Sequence, residues 1–305
     1  MTPQSFNTDY LAEKDGHKVY FAQYGNDLGT PILVCHGGPG DKSKHRHINR
    51  YDLDKYRVIV FDQRGCGQSL PLGEIKNNTL SDLVSDMERL RNLLKIKKWY
   101  VAGGSWGSTV ALTYAQAHPD NILGLLLSSV FLARQKDEDW SFSREGGITQ
   151  IFPDLVEKRA NITPKDLLNM LESGNKEYVK KIVANVMNWE GNLMTSQADL
   201  HFVDQEDITE ENIASVKIFL SYEANNYFLK PDEIIKNIKR IQNIPTVIVH
   251  GRYDILCPMD NAWELHKELS NSELVILPSS NHRFTADGEI AKNMAFKYFL
   301  SKQKV

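Results

Sequence analysis

The chain has 305 residues, of which 41% are hydrophobic and 25% charged, and its 36 basic and 39 acidic residues leave a formal net charge of -3. These values are typical of an ordinary soluble globular protein that buries a sizeable core. The length excludes a small disulfide-stapled protein. The balanced charge gives no indication of nucleic acid or of an acidic membrane as a partner.

The first ten residues are polar and do not resemble a secretory signal, and no stretch approaches about 18 consecutive apolar residues. We therefore expect a cytoplasmic protein without a membrane-spanning segment. The three cysteines, Cys35, Cys66 and Cys257, are odd in number and lack a metal-like spacing. This pattern predicts free thiols and no metal site. The sequence leaves the oligomeric state open.

The first 130 residues alternate between patterns typical of strands and patterns typical of helices. Residues 6–24 alternate apolar and polar side chains around Asp15-Gly16, which predicts a β-hairpin. Further strands are predicted at 31–35, 57–61, 99–103 and 122–130, and helices at 80–94 and 108–117. Short apolar strands separated by helices indicate a mostly parallel sheet that is covered on both faces.

Between residues 133 and 242 the strand patterns disappear, and long helical patterns occupy 164–194 and 211–228. The strand pattern then returns at 245–250 and 273–277, with helices predicted at 261–269 and 289–300. We therefore predict an α/β core domain made of residues 1–132 and 243–305. A helical cap of residues 133–242 would interrupt this core after its sixth strand.

Residues 103–107 read Gly-Gly-Ser-Trp-Gly and lie between a predicted strand and a predicted helix. At this place the pattern G-x-S-x-G is typical of a nucleophile elbow, a turn so strained that only small neighbours permit it. A glycine-rich structural turn is the alternative. We predict that Ser105 is the nucleophile of a serine hydrolase.

A serine nucleophile needs a histidine that takes its proton and a carboxylate that orients this histidine. Asp254 and His282 lie in the loops that follow the last two predicted strands, at the sheet edge where α/β proteins place their sites. We predict that Asp254 is the acid and His282 the general base. Asp260 is the competing acid.

An oxyanion hole requires two backbone N–H groups that point at the developing negative charge. Trp106 follows the nucleophile directly and would supply one of them. Residues 36–40 read His-Gly-Gly-Pro-Gly, and backbone without side chains can approach a substrate closely. We predict that Gly38 or Gly37 supplies the second N–H group. A purely structural loop is the alternative.

Four segments together resemble a known family: HGGPG at 36–40, DQRGCGQS at 62–69, GGSWGS at 103–108 and GRYD at 251–254. They are similar to segments of the prolyl iminopeptidases, in the proline-specific group of α/β-hydrolases. The resemblance implies an α/β-hydrolase fold with a mostly parallel, eight-stranded sheet flanked by helices. It also implies an aminopeptidase that releases an N-terminal proline from peptides through a prolyl ester on serine, with no metal or organic cofactor.

Such an enzyme must hold a cationic secondary amine beside the scissile carbonyl, which calls for carboxylates in a partly dehydrated pocket. Glu190 matches the tryptophan-glutamate pattern of the family, which implies that it binds the amine; an exposed helical glutamate is the alternative. The second glutamate of the family precedes a tyrosine-phenylalanine pair. Here Ala224 stands at its position, and Glu223 lies one residue earlier, about 100° away on a helix.

The proline ring also needs apolar surfaces. Phe142, Tyr227 and Phe228 are the candidates, although an aromatic residue in a helical cap more often belongs to the core. Two other functions stay open. A carboxylesterase or amidase for small acyl groups would use the same three residues, and a non-catalytic binding protein could have kept the fold.

Two further pairs of residues lie in loops that we expect near the site. The sequence assigns no role to Asp62 and Arg64, and the default prediction for them is a buried structural ion pair. Cys66 and Cys257 could allow a bulky thiol reagent to block the substrate, with inert packing as the alternative.

Overall fold

The structure is a computed structural model, which describes residues 3–143, 145–154, 163–172, 174–194 and 202–303. Its eight strands form one sheet in the order β1-β2-β4-β3-β5-β6-β7-β8. The strands are β1 (Ser5–Tyr10), β2 (Tyr20–Gly25), β3 (Thr30–Cys35), β4 (Tyr56–Phe61), β5 (Trp99–Ser105), β6 (Ile122–Val130), β7 (Thr246–Gly251) and β8 (Ser272–Leu277). The pairs that involve β2 are antiparallel and all others are parallel, which confirms the predicted sheet.

The hairpin between β1 and β2 forms around the predicted turn. Asp15 and Gly16 both have positive φ, 55° and 86°, as a two-residue hairpin turn requires. Lys14 and His17 pair on either side of this turn.

The described helices surround the sheet, and each predicted core helix is present within a few residues of its expected ends. They are α1 (His45–Ile48), α2 (Leu80–Leu93), α3 (Trp106–Ala117), α4 (Gln135–Phe142), α5 (Gly147–Ile151), α6 (Pro164–Leu171), α7 (Lys176–Leu193), α8 (Glu210–Ala224), α9 (Glu233–Lys236), α10 (Met259–Glu268) and α11 (Ala286–Lys302). None of these helices is both long enough and apolar enough to cross a membrane.

The central strands are continuous apolar runs because both faces of the sheet are buried. On β3, Leu33 packs in the hydrophobic cluster that includes residues of α2, α3 and α10. Its neighbours Ile32 and Val34 point the other way and pack against α1 and α11. The strand ends are therefore held between two packed layers, so the loops at their carboxyl ends have fixed positions.

The chain between β6 and β7 contains helices and no strand among its described residues, as expected for an inserted cap. Two predicted helix lengths were wrong. The predicted helix 164–194 is two helices, α6 and α7, with Gly174 at φ 77° in the connection. The predicted helix 211–228 ends at Ala224, since residues 226–228 all adopt left-handed backbone angles.

The predicted ion pair between Asp62 and Arg64 was wrong, although both side chains are buried. Arg64 instead forms a two-pronged pair with Asp86 on α2, through its Nε at 2.6 Å and a terminal nitrogen at 3.0 Å. The carboxylate of Asp62 accepts hydrogen bonds from the backbone N–H groups of Ser43 and Gln68, each at 2.8 Å. Asp62 therefore ties two loops together, while Arg64 anchors its own loop to α2.

Candidate active site

Ser105 stands at the junction of β5 and α3, in the middle of the sheet and at the carboxyl end of its strand. Its φ and ψ angles are 56° and -132°. Non-glycine residues rarely adopt a positive φ, and such strain is concentrated at functional sites. The predicted elbow is therefore present in the backbone.

The glycines on either side of Ser105 are required by close backbone contacts. A Cβ atom on Gly103 would collide with the carbonyl oxygen of Gly107, and a Cβ atom on Gly107 would collide with the carbonyl oxygen of Cys35. A Cβ atom on Gly104 would lie 2.7 Å from the hydroxyl oxygen of Ser128. Strand, turn and helix can therefore pack this tightly only without side chains at these positions.

Asp254 and His282, from the loops after β7 and β8, form a hydrogen-bonded pair. His282 Nδ1 lies 2.9 Å and 3.0 Å from the two carboxylate oxygens of Asp254. Asp254 Oδ1 also accepts the backbone N–H of Cys257 at 2.9 Å. The Asp254 side chain is completely buried, and that of His282 is 10% exposed. Because Nδ1 faces a carboxylate, it carries the proton, and the opposite ring nitrogen, Nε2, is left as an acceptor.

Asp254 and His282 each stabilise the charged form of the other. Burial disfavours the charged form of His282, but Asp254 outweighs it and raises the pKa of the imidazole above its usual value. The charge of Glu190 raises this pKa further, and that of Arg283 opposes it. For Asp254, burial is likewise outweighed by His282, which lowers the pKa of the carboxyl group.

Cys257 lies beside this pair, since its sulfur is within 4.8 Å of ligand-type atoms of both Asp254 and His282. Burial raises the pKa of its thiol well above the usual value, and an interaction with the Ser105 side chain opposes this. Asp254, Cys257 and His282 could in principle hold a metal ion, but the Asp254 oxygens already accept hydrogen bonds from His282 and from the backbone of Cys257. Asp254 and His282 are thus hydrogen-bonded to each other with Cys257 beside them, and the part of Ser105 as their nucleophile stays a prediction.

The loop after β3 passes directly beside the nucleophile. A Cβ atom on Gly37 would lie 3.7 Å from the Cβ of Ser105, and Gly38 has a φ of 117° that favours glycine. Trp106 is the first residue of α3, where backbone N–H groups have no partner inside the helix. Gly37 and Trp106 thus border Ser105, and Gly38 follows Gly37 in the same loop; the oxyanion hole formed by their backbone N–H groups stays a prediction.

An aromatic cluster packs around Trp106, the residue that follows Ser105, and belongs to the main hydrophobic core. The ring centre of Tyr227 is 5.7 Å from that of Trp106 and 5.1 Å from that of Phe131. Tyr222 also packs edge-on against Trp106, with ring centres 4.9 Å apart. The left-handed backbone at residues 226–228 turns Tyr227 inward, where it is 4% exposed. These edge-on and tilted ring contacts hold Trp106 firmly at the start of α3.

Three carboxylates surround Tyr227. Its hydroxyl group donates a hydrogen bond of 2.8 Å to Glu138 on α4. Burial raises the pKa of Tyr227 well above its usual value, and the negative charges of Glu138, Glu223 and Glu190 raise it further. Glu223 is 6% exposed. The aromatic cluster therefore has carboxylates near Tyr227, and their charges act on it.

The one-residue displacement of Glu223 does not remove it from this cluster. Glu223 and Ala224 both lie in α8, so the expected offset of about 100° between these two positions is present. Glu223 nevertheless acts electrostatically on Tyr227, which lies beyond the end of α8 in the left-handed turn of residues 226–228.

Other predicted site residues lie elsewhere or are not described. Phe228 is 36% exposed and packs edge-on against Tyr222. The side chain of Phe142 lies outside the described residues. Asp260, the competing acid, is 55% exposed in its side chain and lies 2.9 Å from Lys136.

Sequence reasoning missed two residues beside Tyr227, Phe131 and Glu138. Phe131 directly follows β6, and Glu138 lies on α4. A carboxylate in the first turn of a helix has no signal of its own, since acidic residues are common at that position. The hydrogen bond from Tyr227, 89 residues later, is what identifies Glu138.

Comparison with known proteins agrees with this geometry. A family model described as the alpha/beta hydrolase fold matches residues 30–288. The chain is similar to a proline iminopeptidase from Xylella fastidiosa, with 37% identity over 91% of both chains. A probable proline iminopeptidase from Leptolyngbya boryana is 39% identical over 89% of this chain and 87% of its own. The proline iminopeptidase of Arabidopsis thaliana is 36% identical over 93% of this chain and 77% of its own.

Solved structures are similar in fold. A proline iminopeptidase-related protein from Thermus thermophilus superposes with a TM-score of 0.66 at 20% identity, covering 97% of this chain and 98% of its own. An alpha/beta fold family hydrolase from Bacillus anthracis gives a TM-score of 0.64 at 19% identity, covering 99% and 100%. The family model and the curated relatives extend over most of the chain, so this chain belongs to the proline iminopeptidase family of α/β-hydrolases.

Proposed function

We propose that this protein is a serine aminopeptidase that releases an N-terminal proline from peptides. The observation that supports the proposal is the aromatic cluster of Trp106, Phe131 and Tyr227, which follows Ser105 and has carboxylates whose charges act on Tyr227 and His282. A triad alone would serve any ester or amide. Aromatic rings together with carboxylates favour a prolyl residue with a free, protonated amine.

In the proposed acylation, Ser105 Oγ adds to the prolyl carbonyl carbon while its proton passes to His282 Nε2. The carbonyl electron pair moves onto oxygen, where the backbone N–H groups of Trp106 and of Gly38 or Gly37 stabilise it. The carbon–nitrogen bond then breaks, and His282 gives its proton to the leaving amine. The product is a prolyl ester on Ser105 and a shortened peptide.

Deacylation repeats these steps with water. His282 takes a proton as the water oxygen adds to the ester carbonyl carbon, and returns it to Ser105 Oγ as the ester bond breaks. Free proline leaves and Ser105 regains its proton. Asp254 stays ionised throughout and stabilises the charged imidazole, in line with its lowered pKa.

The substrate amine would be held by the carboxylates around Tyr227. Glu190 acts electrostatically on both His282 and Tyr227, which supports a place near the proposed base and the aromatic cluster. Glu223 and Glu138 act on Tyr227 from the cap. We infer that these residues bind the prolyl amine and that the cap is residues 133–242, with residues 1–132 and 243–305 as the core.

The proposal is tested with the purified protein and its Ser105→Ala variant on proline, alanine and leucine arylamides and on a short-chain nitrophenyl ester. We expect a strong preference for the proline arylamide that is lost in Ser105→Ala. Turnover of the ester alone would reject the proline assignment and favour a carboxylesterase. No labelling of Ser105 by a fluorophosphonate would instead favour a non-catalytic protein.

The acidic limb of the pH profile should lie above the usual pKa of a histidine, about 6.5. His282 acts only when Nε2 is unprotonated, and its raised pKa means that activity is lost sooner as the pH falls. Because Glu190 contributes to this shift, Glu190→Gln should move the limb to lower pH. The rate of Ser105 labelling by a neutral fluorophosphonate, measured from pH 5 to 8, reports this limb without the substrate amine.

Glu177 lies exposed on the same helix as Glu190, so Glu177→Gln is the matched control. The acidic limb of its labelling rate should lie at the same pH as in wild type. An identical limb in wild type and Glu190→Gln would show that Glu190 does not act on His282.

A further inference from the structure

Gln63 lies between the two halves of the proposed oxyanion hole. It follows β4 and is 2% exposed, so its amide group is enclosed by protein. On one side lies His36, which begins the loop that contains Gly37 and Gly38. On the other lies Trp106, the residue after the nucleophile.

The side chain of Gln63 joins these two elements directly. Its Nε2 donates a hydrogen bond of 2.9 Å to the backbone carbonyl of His36. Its Oε1 accepts a hydrogen bond of 2.9 Å from the indole Nε1 of Trp106. One buried amide group therefore fixes the distance between the β3 loop and the start of α3.

The backbone of Gln63 also orients the β3 loop. Its N–H group donates to His36 Nε2 at 3.0 Å, so this ring nitrogen is unprotonated and the proton is on Nδ1. His36 Nδ1 in turn donates to the carbonyl oxygen of Gly37 at 2.9 Å. In a trans peptide the carbonyl and the following N–H point in opposite directions. The N–H of Gly38 is thereby turned away from the His36 ring.

We propose that Gln63 is a positioning residue that holds both N–H donors of the oxyanion hole at their working distance. It does not touch the substrate. The two donors come from loops that are separated by about 70 residues of sequence, and donors must be held within about 0.5 Å to stabilise a transition state. The sheet pairs Cys35 with Gly103, and Gln63 supplies a further connection between the segments that follow these two residues.

The inference rests on the proposed serine chemistry, but not on the preference for proline. We would compare wild type with Gln63→Met, which has a similar size and lacks both hydrogen-bonding groups. The kcat for proline arylamide should fall about 10- to 100-fold with little change in KM, which is less than the loss of a whole oxyanion donor. The rate of Ser105 labelling by a fluorophosphonate, whose phosphoryl oxygen occupies the oxyanion hole, should fall in parallel.

The binding of two ligands separates positioning from general structural damage. An aldehyde analogue of proline forms a tetrahedral adduct with Ser105 and uses the oxyanion hole, whereas free proline does not form one. The affinity of Gln63→Met for the aldehyde should fall with kcat, while its affinity for proline stays within about twofold of wild type. Equal losses of affinity for the aldehyde and for proline would reject a positioning role. A Gln63→Met variant with the kcat and the labelling rate of wild type would reject it as well.

Two further variants complete the test. Gln68 lies exposed in the same loop, so Gln68→Met makes the same chemical change away from the oxyanion hole and should behave as wild type. If Gln63→Met does not fold, Trp106→Phe removes the indole donor to Gln63 and keeps the backbone N–H. Trp106→Phe should lose affinity for the aldehyde and keep its affinity for proline. An equal loss of affinity for proline would overturn the proposal. Failure of the proline assignment would appear separately: the fluorophosphonate would label Ser105 of the wild-type protein, but the wild-type protein would not hydrolyse the proline arylamide.

Discussion

Replacing Asp254 by Asn should lower kcat for the proline arylamide about 10⁴-fold, with little change in KM. Asp254 Oδ1 accepts the backbone N–H of Cys257, so the asparagine oxygen should keep this place and the amide nitrogen should replace Oδ2. A donor would then face His282 Nδ1, which now lies 3.0 Å from Oδ2. The imidazole would adopt the other tautomer, with its proton on Nε2, and could not accept the proton of Ser105.

The measurement is steady-state hydrolysis of the arylamide at several pH values, together with a thermal unfolding curve for each variant. Asp260→Asn is the matched control, because Asp260 follows the same strand and is exposed beside Lys136. It should retain wild-type kcat. An Asp254→Asn variant that is folded and keeps more than about a tenth of the wild-type kcat would contradict the assignment of Asp254.

Glu190→Gln should lower kcat/KM for substrates with a free N-terminal proline about 10- to 150-fold. This range corresponds to the loss of about 1.5–3 kcal/mol, the usual contribution of a hydrogen bond to a charged group. Acetylation of the prolyl nitrogen should abolish turnover by wild type, because the carboxylates then face an uncharged amide. The ratio of kcat/KM for the free peptide to kcat/KM for the acetylated peptide should therefore be smaller in Glu190→Gln than in wild type.

The comparison uses one prolyl peptide with and without the acetyl group, at a pH above the acidic limb of both proteins so that His282 is neutral in each. Glu177→Gln again serves as the control on the same helix, and its preference should equal that of wild type. Equal rates on the two peptides with wild type would reject an amine site. A strong preference that is unchanged in Glu190→Gln would assign the amine to Glu223 and Glu138 instead.

The sheet and the position of the nucleophile could be predicted from sequence because both depend on local patterns. The run 99–103 followed by Gly-Ser-Trp-Gly contains the strand, the turn and the helix start within a few residues. The close contacts at Gly103 and Gly107 explain why these residue types are needed. Strands at 245–250 and 273–277 likewise placed Asp254 and His282 at one edge of the sheet, where the structure pairs them.

Predictions about partners were weaker because a side chain can reach residues far away in sequence. Arg64 and Asp62 are neighbours in the chain, yet Arg64 pairs with Asp86 on α2. Neighbours two apart often point in different directions, and a fully buried guanidinium requires a carboxylate that is buried with it. The sequence shows the charges but not which of them are buried together.

The sequence by itself determined the family, the strand order along the chain and the three residues proposed for catalysis, because strands, glycine turns and short motifs are encoded by neighbouring residues. Only the tertiary structure decided the surroundings of the substrate. It brought Glu138 to Tyr227 across 89 residues, turned Tyr227 inward through a left-handed turn, and joined His36 to Trp106 through Gln63. These contacts depend on how the cap and the loops pack on the sheet, and packing is a property of the whole chain.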